Sequence, residues 1–418
     1  MTHVLARWQR SRPVRAGAAL AVALALVAAA ALLLAPSSVG RSDGGRVDGP
    51  GPVTPSIIAQ PQGAFAIGRA ASWRRPARTP GPSAAPAPAP APALAGLAVG
   101  VQLHAMWDDY SDAQRLAVLD RIAAAHLRWV RIDMGWSSFS ERCRGCVSQW
   151  YLDRANFVVD AARQRGLRVL VTAWRTPGWA NNGAGELAPP DRPADFGEFM
   201  AWLAARFRGR VSAYEIWNEP DSRDFFTGSV GDYAALARAA YPAVRSADPG
   251  AQVVLGGPIN NNTDWLRSVY RAGVRGSFDV LATHPYMGPA DLPPETPDRR
   301  GDNRYLLTHV AAVHRLMAAN GDGGKPIWFT EFGWSSHPNR GGEANWDRGV
   351  SPQQQADYTV RAIRLVRSRF PYVTNMLLYN ERNRATGDVH LDNYGMLHRD
   401  LSEKPVYAAL RAYLSGRG

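Results

Sequence analysis

From Leu97 onward one unit recurs eight times: a short apolar run rich in Val, Ile and Leu, then an amphipathic stretch at helical period, joined by loops of Gly, Pro and Asn. The apolar runs are Leu97 to Leu103, Leu127 to Asp133, Leu167 to Ala173, Val211 to Trp217, Ala251 to Gly256, Phe278 to Thr283, Pro326 to Glu331 and Tyr372 to Tyr379. The helical stretches between and after them are Asp112 to Ala125, Asp153 to Arg165, Asp195 to Phe207, Asp232 to Ser246, Asp264 to Ala272, Asn303 to Ala319, Pro352 to Arg369 and Lys404 to Leu414. Strands buried on both faces, each followed by a crossover helix, require a parallel sheet. Eight such units in roughly 320 residues predict an α/β fold, a closed (β/α)8 barrel over residues 98–418. The competing doubly wound open sheet would want a glycine-rich phosphate loop after the first strand, and Val101-Gln-Leu-His-Ala-Met-Trp has none.

The chain before the barrel has a different character. Arg7, Arg10, Arg12 and Arg15 form a basic region, 1–15, ahead of Ala16 to Ala35, which holds no polar side chain. As a helix that run would reach about 30 Å, enough to cross a bilayer core. Its basic flank keeps the N-terminus inside and predicts export of the rest. Both an uncleaved transmembrane anchor and a cleaved signal are compatible with it; the run exceeds the roughly 7 to 15 residues usual for a signal peptide. Residues 36–97, with a Pro-Ala alternation from Ala85 to Ala93, read as a disordered, extended linker.

Net charge is +12, which would ordinarily raise nucleic acid as a partner. However, residues 1–97 carry ten Arg against Asp43 and Asp48, leaving 38 basic and 34 acidic groups on the barrel, a net +4. No basic run there is interleaved with aromatics, so no nucleic-acid partner is expected. Cys143 and Cys146, in an exported chain, are expected to pair as a small loop disulfide rather than to bind zinc, for which no further ligands stand nearby.

Barrels of this kind keep their chemistry at the carboxyl ends of the strands. Reading only those ends gives Arg131-Ile-Asp133, Trp174-Arg-Thr-Pro-Gly-Trp179, Trp217-Asn218-Glu219-Pro220, His284-Pro-Tyr286, Thr330-Glu331-Phe-Gly-Trp334 and Tyr379-Asn380-Glu381. Glu219 and Glu331 end the fourth and seventh strands, opposite one another across the mouth. Glycoside cleavage needs two such groups, one protonated to assist the leaving oxygen and one ionised to attack the anomeric carbon. Trp136, Trp174, Trp179 and Trp334 are candidate sugar platforms, since an indole face stacks on a pyranose, or else core residues. Glu215, four residues before Glu219, reads as structural and deeper in the barrel.

Glu215-Ile-Trp-Asn-Glu-Pro220 together with Thr330-Glu-Phe-Gly-Trp334 resembles the clan A glycoside hydrolases, retaining enzymes on β/α barrels. Val130-Arg131, His284-Pro-Tyr286, Thr176-Pro-Gly-Trp-Ala180, Tyr394-Gly-Met-Leu and Lys404-Pro-Val-Tyr407 extend the likeness, most closely to family 39 and its family 5 neighbours. The resemblance implies that Glu219 is the general acid/base and Glu331 the nucleophile. It implies that Asn218 binds the sugar 2-hydroxyl and that Arg131 and Tyr286 orient Glu331, while His284 lines the site or contacts the acid/base, unless it only caps its strand. Where many members place a Trp under the central sugar, this chain has Tyr379. No metal or organic cofactor is needed. The expected substrate is a polysaccharide or glycoconjugate near the cell surface, the expected state monomeric, membrane-tethered or secreted. A transglycosidase of the same fold and a non-catalytic polysaccharide-binding barrel are the alternatives.

Overall fold

The computed structural model describes residues 96–416 except Asp108. The basic region, the apolar run Ala16 to Ala35 and the linker up to residue 95 lie outside the described residues. Among those described, no helix is long and apolar enough to cross a membrane.

Eight strands close into a barrel in sequence order: β1 (Ala98–Gln102), β2 (Trp129–Gly135), β3 (Arg168–Trp174), β4 (Ala213–Ile216), β5 (Gln252–Leu255), β6 (Val280–Thr283), β7 (Ile327–Phe332) and β8 (Val373–Leu378). Each pairs in parallel with the next, and β8 closes on β1 with Val101 opposite Leu378. The crossover helices are α1 (Asp112–Ala124), α2 (Gln149–Gln164), α3 (Pro193–Arg206), α4 (Val230–Ala247), α5 (Thr263–Arg271), α6 (Val310–Ala319), α7 (Pro352–Arg369) and α8 (Pro405–Leu414).

Local chemistry sets most helix starts. Ser111 and Ser351 each close a capping box with a Gln three residues on, and Ser229 does so with Asp232. Two helix starts differ from the sequence reading by more than two residues. Helix α2 begins four residues before Asp153 because Ser148 accepts from the Tyr151 amide and serves as the cap. Helix α6 begins seven residues after Asn303, since Asp298 takes the Gly301 and Asn303 amides and holds that stretch in a loop.

Side chains alternate along each strand, and the barrel interior changes from apolar to polar as the strands rise. On β2 the inward residues run Trp129, Arg131, Asp133; on β3 Leu170, Thr172; on β4 Ala213, Glu215. The lower interior is one apolar plug containing Trp129, Leu170, Ala213, Val254, Val280, Trp328 and Leu377. Gly100 belongs to this layer because a Cβ there would stand 2.4 Å from both Leu377 Cδ2 and the Trp129 carbonyl oxygen. The second core fills the space between strands and helices. The polar upper layer is therefore built on a rigid base.

Candidate active site

Arg131 is the hub of the upper layer, only 1% exposed. Its Nε donates to Glu215 Oε2 at 2.6 Å, one terminal nitrogen donates to Glu331 Oε1 at 2.8 Å and Gln102 Oε1 at 2.7 Å, and the other donates to Asn218 Oδ1 at 2.7 Å. Glu215 also accepts from Thr172 at 2.7 Å and Thr330 at 2.8 Å. A single guanidinium thus ties β1, β2, β4 and β7 together beneath the mouth, and orients the Asn218 amide so that its NH2 group faces away from Arg131.

Two backbone features aim the carboxylates. Leaving β4, Trp217 and Glu219 both have positive φ, 67° and 43°, in the left-handed region that non-glycine residues avoid. On β7, Phe329 pairs with Met376 but Phe332 pairs with Leu378, so β7 holds one extra residue there. In a regular strand Thr330 and Glu331 would face opposite ways; the irregularity lets Thr330 reach Glu215 while Glu331 reaches Arg131 and Tyr286.

Glu219 and Glu331 are 7% and 8% exposed. With His284 they form a group whose donor atoms all lie within 4.8 Å of one another. Their partners differ. Glu331 accepts from Arg131 and, through Oε2, from the Tyr286 hydroxyl at 2.8 Å. Glu219 Oε1 meets His284 Nδ1 at 2.8 Å. Burial alone would raise both carboxyl groups. For Glu331 it is outweighed by His284, Arg131 and Tyr286, and the group sits below the usual carboxylate range. For Glu219 burial prevails over its bond with His284, the Glu331 charge adds to it, and the group is pushed up to about 7. Burial and Glu331 together keep the Tyr286 phenol protonated, hence a donor. A cation would fit this cluster poorly, since Glu331 already spends its oxygens on Arg131 and Tyr286.

A second set of residues builds the β1 and β8 side. Glu381, 1% exposed, accepts from the His104 amide at 3.0 Å, faces His104 Nδ1 at 3.0 Å and accepts from the Tyr110 hydroxyl at 2.7 Å. The His104 ring lies 4.2 Å from Trp107 and edge-on to Tyr379. Tyr379 accepts from Arg384 at 3.0 Å and packs edge-on to Tyr286, and the peptide following it is cis. Asp133, above Arg131 on the same strand face, receives a hydrogen bond from Gln102 at 2.7 Å and keeps a side chain 20% exposed at the mouth.

Three of the four indoles considered as platforms, Trp136, Trp174 and Trp334, lie in the buried core. Trp136 is 1% exposed, stacked on Phe199 at 5.5 Å and edge-on to Trp179 and Phe196. Trp334 is 2% exposed, its Nε1 donating to the Leu292 carbonyl and its ring against Tyr358. Neither has a free face. Trp174 packs on Phe225 under the Arg175 guanidinium, and half-buried Trp179 donates to the Ser140 carbonyl at 2.6 Å. Ser140 in turn donates to the Cys143 carbonyl, next to the Cys143–Cys146 disulfide, whose Cα atoms are 5.3 Å apart. Sequence reading found Asp133 and Thr330 at strand ends but gave them no role, and gave none to Gln102 or Thr172. The alternation that puts Asp133 on the Arg131 face was legible; the contacts of Thr330 depend on the β7 irregularity and were not.

Residues 95–364, well over half of the chain, match the family model for cellulase (glycosyl hydrolase family 5). The chain belongs to that family. This glycosyl hydrolase carries the match through β7 and into α7, so both carboxylates lie inside it. It is 24% identical over 166 residues to a beta-xylosidase of Caldicellulosiruptor saccharolyticus, a stretch covering 37% of this chain and 33% of the relative. Its barrel is similar to a family 39 glycoside hydrolase from Bacteroides cellulosilyticus WH2, at 21% identity and a TM-score of 0.60, covering 77% of this chain and 64% of that one. It is also similar to GH5_18 from Streptomyces cattleya, solved with Manb1-4GlcNAc, at 18% identity and a TM-score of 0.60, covering 76% of this chain and 80% of that one. Family membership thus rests on the match over residues 95–364, and the chain spans only one third of the curated relative's length.

Proposed function

We propose that this glycosidase cleaves with retention of configuration, Glu331 acting as nucleophile and Glu219 as general acid and then base. The observation that carries the reading is the pair itself: one oxygen of each carboxylate within 4.8 Å of the other, Glu331 depressed by His284, Arg131 and Tyr286 against its burial, and Glu219 pushed up to about 7 by burial. An inverting pair stands roughly 6.5 to 9.5 Å apart to admit a water, whereas a retaining pair at about 5 to 5.5 Å attacks directly.

In the first step Glu331 attacks the anomeric carbon as Glu219 gives its proton to the departing oxygen, leaving a glycosyl ester on Glu331. The ester carries no charge, so the repulsion that helped raise Glu219 disappears and Glu219 becomes the base that deprotonates the incoming water. Asn218, its oxygen fixed by Arg131, presents its NH2 group to the sugar 2-oxygen, a bond that strengthens at the oxocarbenium-like transition state. Asp133, 20% exposed at the mouth, accepts from a further sugar hydroxyl. The whole cycle uses two carboxylates and water.

The proposed substrate is a polysaccharide or glycoconjugate outside the cytoplasm. Its support is the apolar run Ala16 to Ala35 with four preceding arginines and the Pro/Ala-rich tether after it. The beta-xylosidase relative and the neighbour solved with Manb1-4GlcNAc make β-xylosides and β-mannosides the first to try, with β-glucosides beside them.

The test is the pH dependence of kcat/KM on phenyl glycosides, whose leaving group needs a proton. A bell is expected. Its acid limb reports Glu331, which must be ionised and lies below the ordinary carboxylate range; its basic limb, near pH 7, reports Glu219, which must be protonated. Glu219→Ala should lose about 100-fold to 10,000-fold on phenyl glycosides, far less on dinitrophenyl ones, lose the basic limb, and be rescued by azide with a glycosyl azide product. A basic limb that survives in Glu219→Ala would contradict the assignment.

A further inference from the structure

The Thr330 hydroxyl takes part in two hydrogen bonds with only one proton to give. Its Oγ1 lies 2.8 Å from Glu215 Oε1 and 3.0 Å from His284 Nε2. Glu215, which also accepts from Arg131 and Thr172, is the acceptor of the Thr330 hydroxyl. The Thr330 proton therefore goes to Glu215, and its oxygen must accept from an N–H on His284 Nε2. That leaves Nδ1, 2.8 Å from Glu219 Oε1, as an acceptor whenever the ring is neutral. His284 and Thr330 are fully buried. The other side of the ring is packed on Gly257, where an added Cβ would stand 2.7 Å from Cδ2 and 2.8 Å from Nε2.

We propose that Thr330 is a positioning residue that keeps the acid/base protonated: by fixing the His284 tautomer, it obliges Glu219 to supply the proton of the Glu219–His284 bond. This rests on the reading of Glu219 as general acid. Passing that proton to Nδ1 gives an ion pair of the same composition, so the two side chains titrate together. Removing it costs a buried hydrogen bond by either route. With Nε2–H kept, the Nδ1 lone pair faces the Glu219 carboxylate; with the proton moved to Nδ1, the Nε2 lone pair faces a Thr330 oxygen whose own proton is committed to Glu215. The pair accordingly releases its proton at higher pH than an unconstrained imidazole and carboxyl would allow.

Thr330→Val removes the acceptor but keeps the volume. The neutral ring is then free to carry its proton on Nδ1 and donate to ionised Glu219, while the Nε2–H form loses its partner. Both changes favour deprotonation. The other charged groups around the pair stay in place: Glu331 on β7, with Oε2 3.8 Å from Nδ1, Asp221 after β4, Arg131 on β2 and Glu215 on β4.

The experiment is the kcat/KM profile of the full-length protein on phenyl β-xyloside, β-glucoside and β-mannoside, using whichever is turned over, for the parent, Thr330→Val, Thr330→Ala, Thr330→Ser and Thr172→Val. The basic limb is expected to move down by about one pH unit in Thr330→Val and Thr330→Ala, the equivalent of one buried hydrogen bond. Thr330→Ser, which keeps the hydroxyl, should retain the limb. Thr172→Val removes a donor from Glu215 without touching His284 and should also retain it. A limb unmoved in Thr330→Val and Thr330→Ala, with only a pH-independent loss of rate, would overturn the proposal, as would an equal shift in Thr172→Val. If the parent's basic limb persists in Glu219→Ala, the failure belongs to the acid/base assignment instead.

Discussion

Glu331→Gln is expected to abolish turnover, lowering kcat/KM on phenyl and dinitrophenyl glycosides alike by about ten-thousand-fold or more. The uniformity follows from the step removed. An amide cannot form the glycosyl intermediate, and a better leaving group does not replace a missing nucleophile, in contrast to Glu219→Ala. The geometry predicts a secondary cost. Arg131 and Tyr286 each donate to one oxygen of Glu331; glutamine offers one oxygen and one NH2, so its NH2 either faces the Arg131 donor or donates to the Tyr286 oxygen and leaves the phenol proton without its acceptor. About 1 to 3 kcal/mol of stability should be lost, seen as a lower denaturant midpoint with the slope unchanged.

Arg131→Met should have the largest effect on stability. The guanidinium is 1% exposed and neutralises Glu215, fully buried, and Glu331, with further bonds to Gln102 and Asn218. Removing one partner of a buried ion pair leaves an uncompensated charge and costs about 3 to 5 kcal/mol. Activity should fall with it, because Glu331 loses a cation that depresses its pKa and will be ionised only at higher pH. The sign is definite: Arg131 lowers Glu331, so its loss moves the acid limb up. Arg131→Lys keeps the charge, but a single ammonium cannot span four acceptors on three strands. It should retain more stability than Arg131→Met while still losing most activity. Chemical denaturation and the pH profile of any residual turnover separate the two effects.

The barrel was legible because its signal is repeated eight times: each apolar run and its following helix could be misplaced by several residues without changing the count. The misplaced boundaries, at α2 and α6, were decided by single side chains, Ser148 and Asp298, whose hydrogen bonds have no periodic trace. The two carboxylates could be named as positions because strand ends are marked by the Pro and Gly turns that follow them. Their separation could not be read, since it depends on positive φ at Trp217 and Glu219 and on the extra residue in β7. Whether Trp136 and Trp334 were platforms or core stayed open for a related reason. A tryptophan just beyond a strand end can face the mouth or turn under the helices, and only the packing with Phe199 and Tyr358 shows which. Glu215 was placed in the interior from its spacing alone, but its link through Thr330 to His284 needed three strands in register.

The most direct measurement of the double-displacement claim is intact-mass and peptide mapping after incubation with dinitrophenyl 2-deoxy-2-fluoro glycosides of the xylo, gluco and manno series. The fluorine slows both steps, and the good leaving group lets the first proceed, so the intermediate accumulates. The expected result is one added fluorosugar mass, carried by the peptide containing Thr330-Glu331-Phe332 and absent in Glu331→Gln. A label on Glu219, or no adduct with a sugar series that the protein hydrolyses, would contradict Glu331 as the nucleophile.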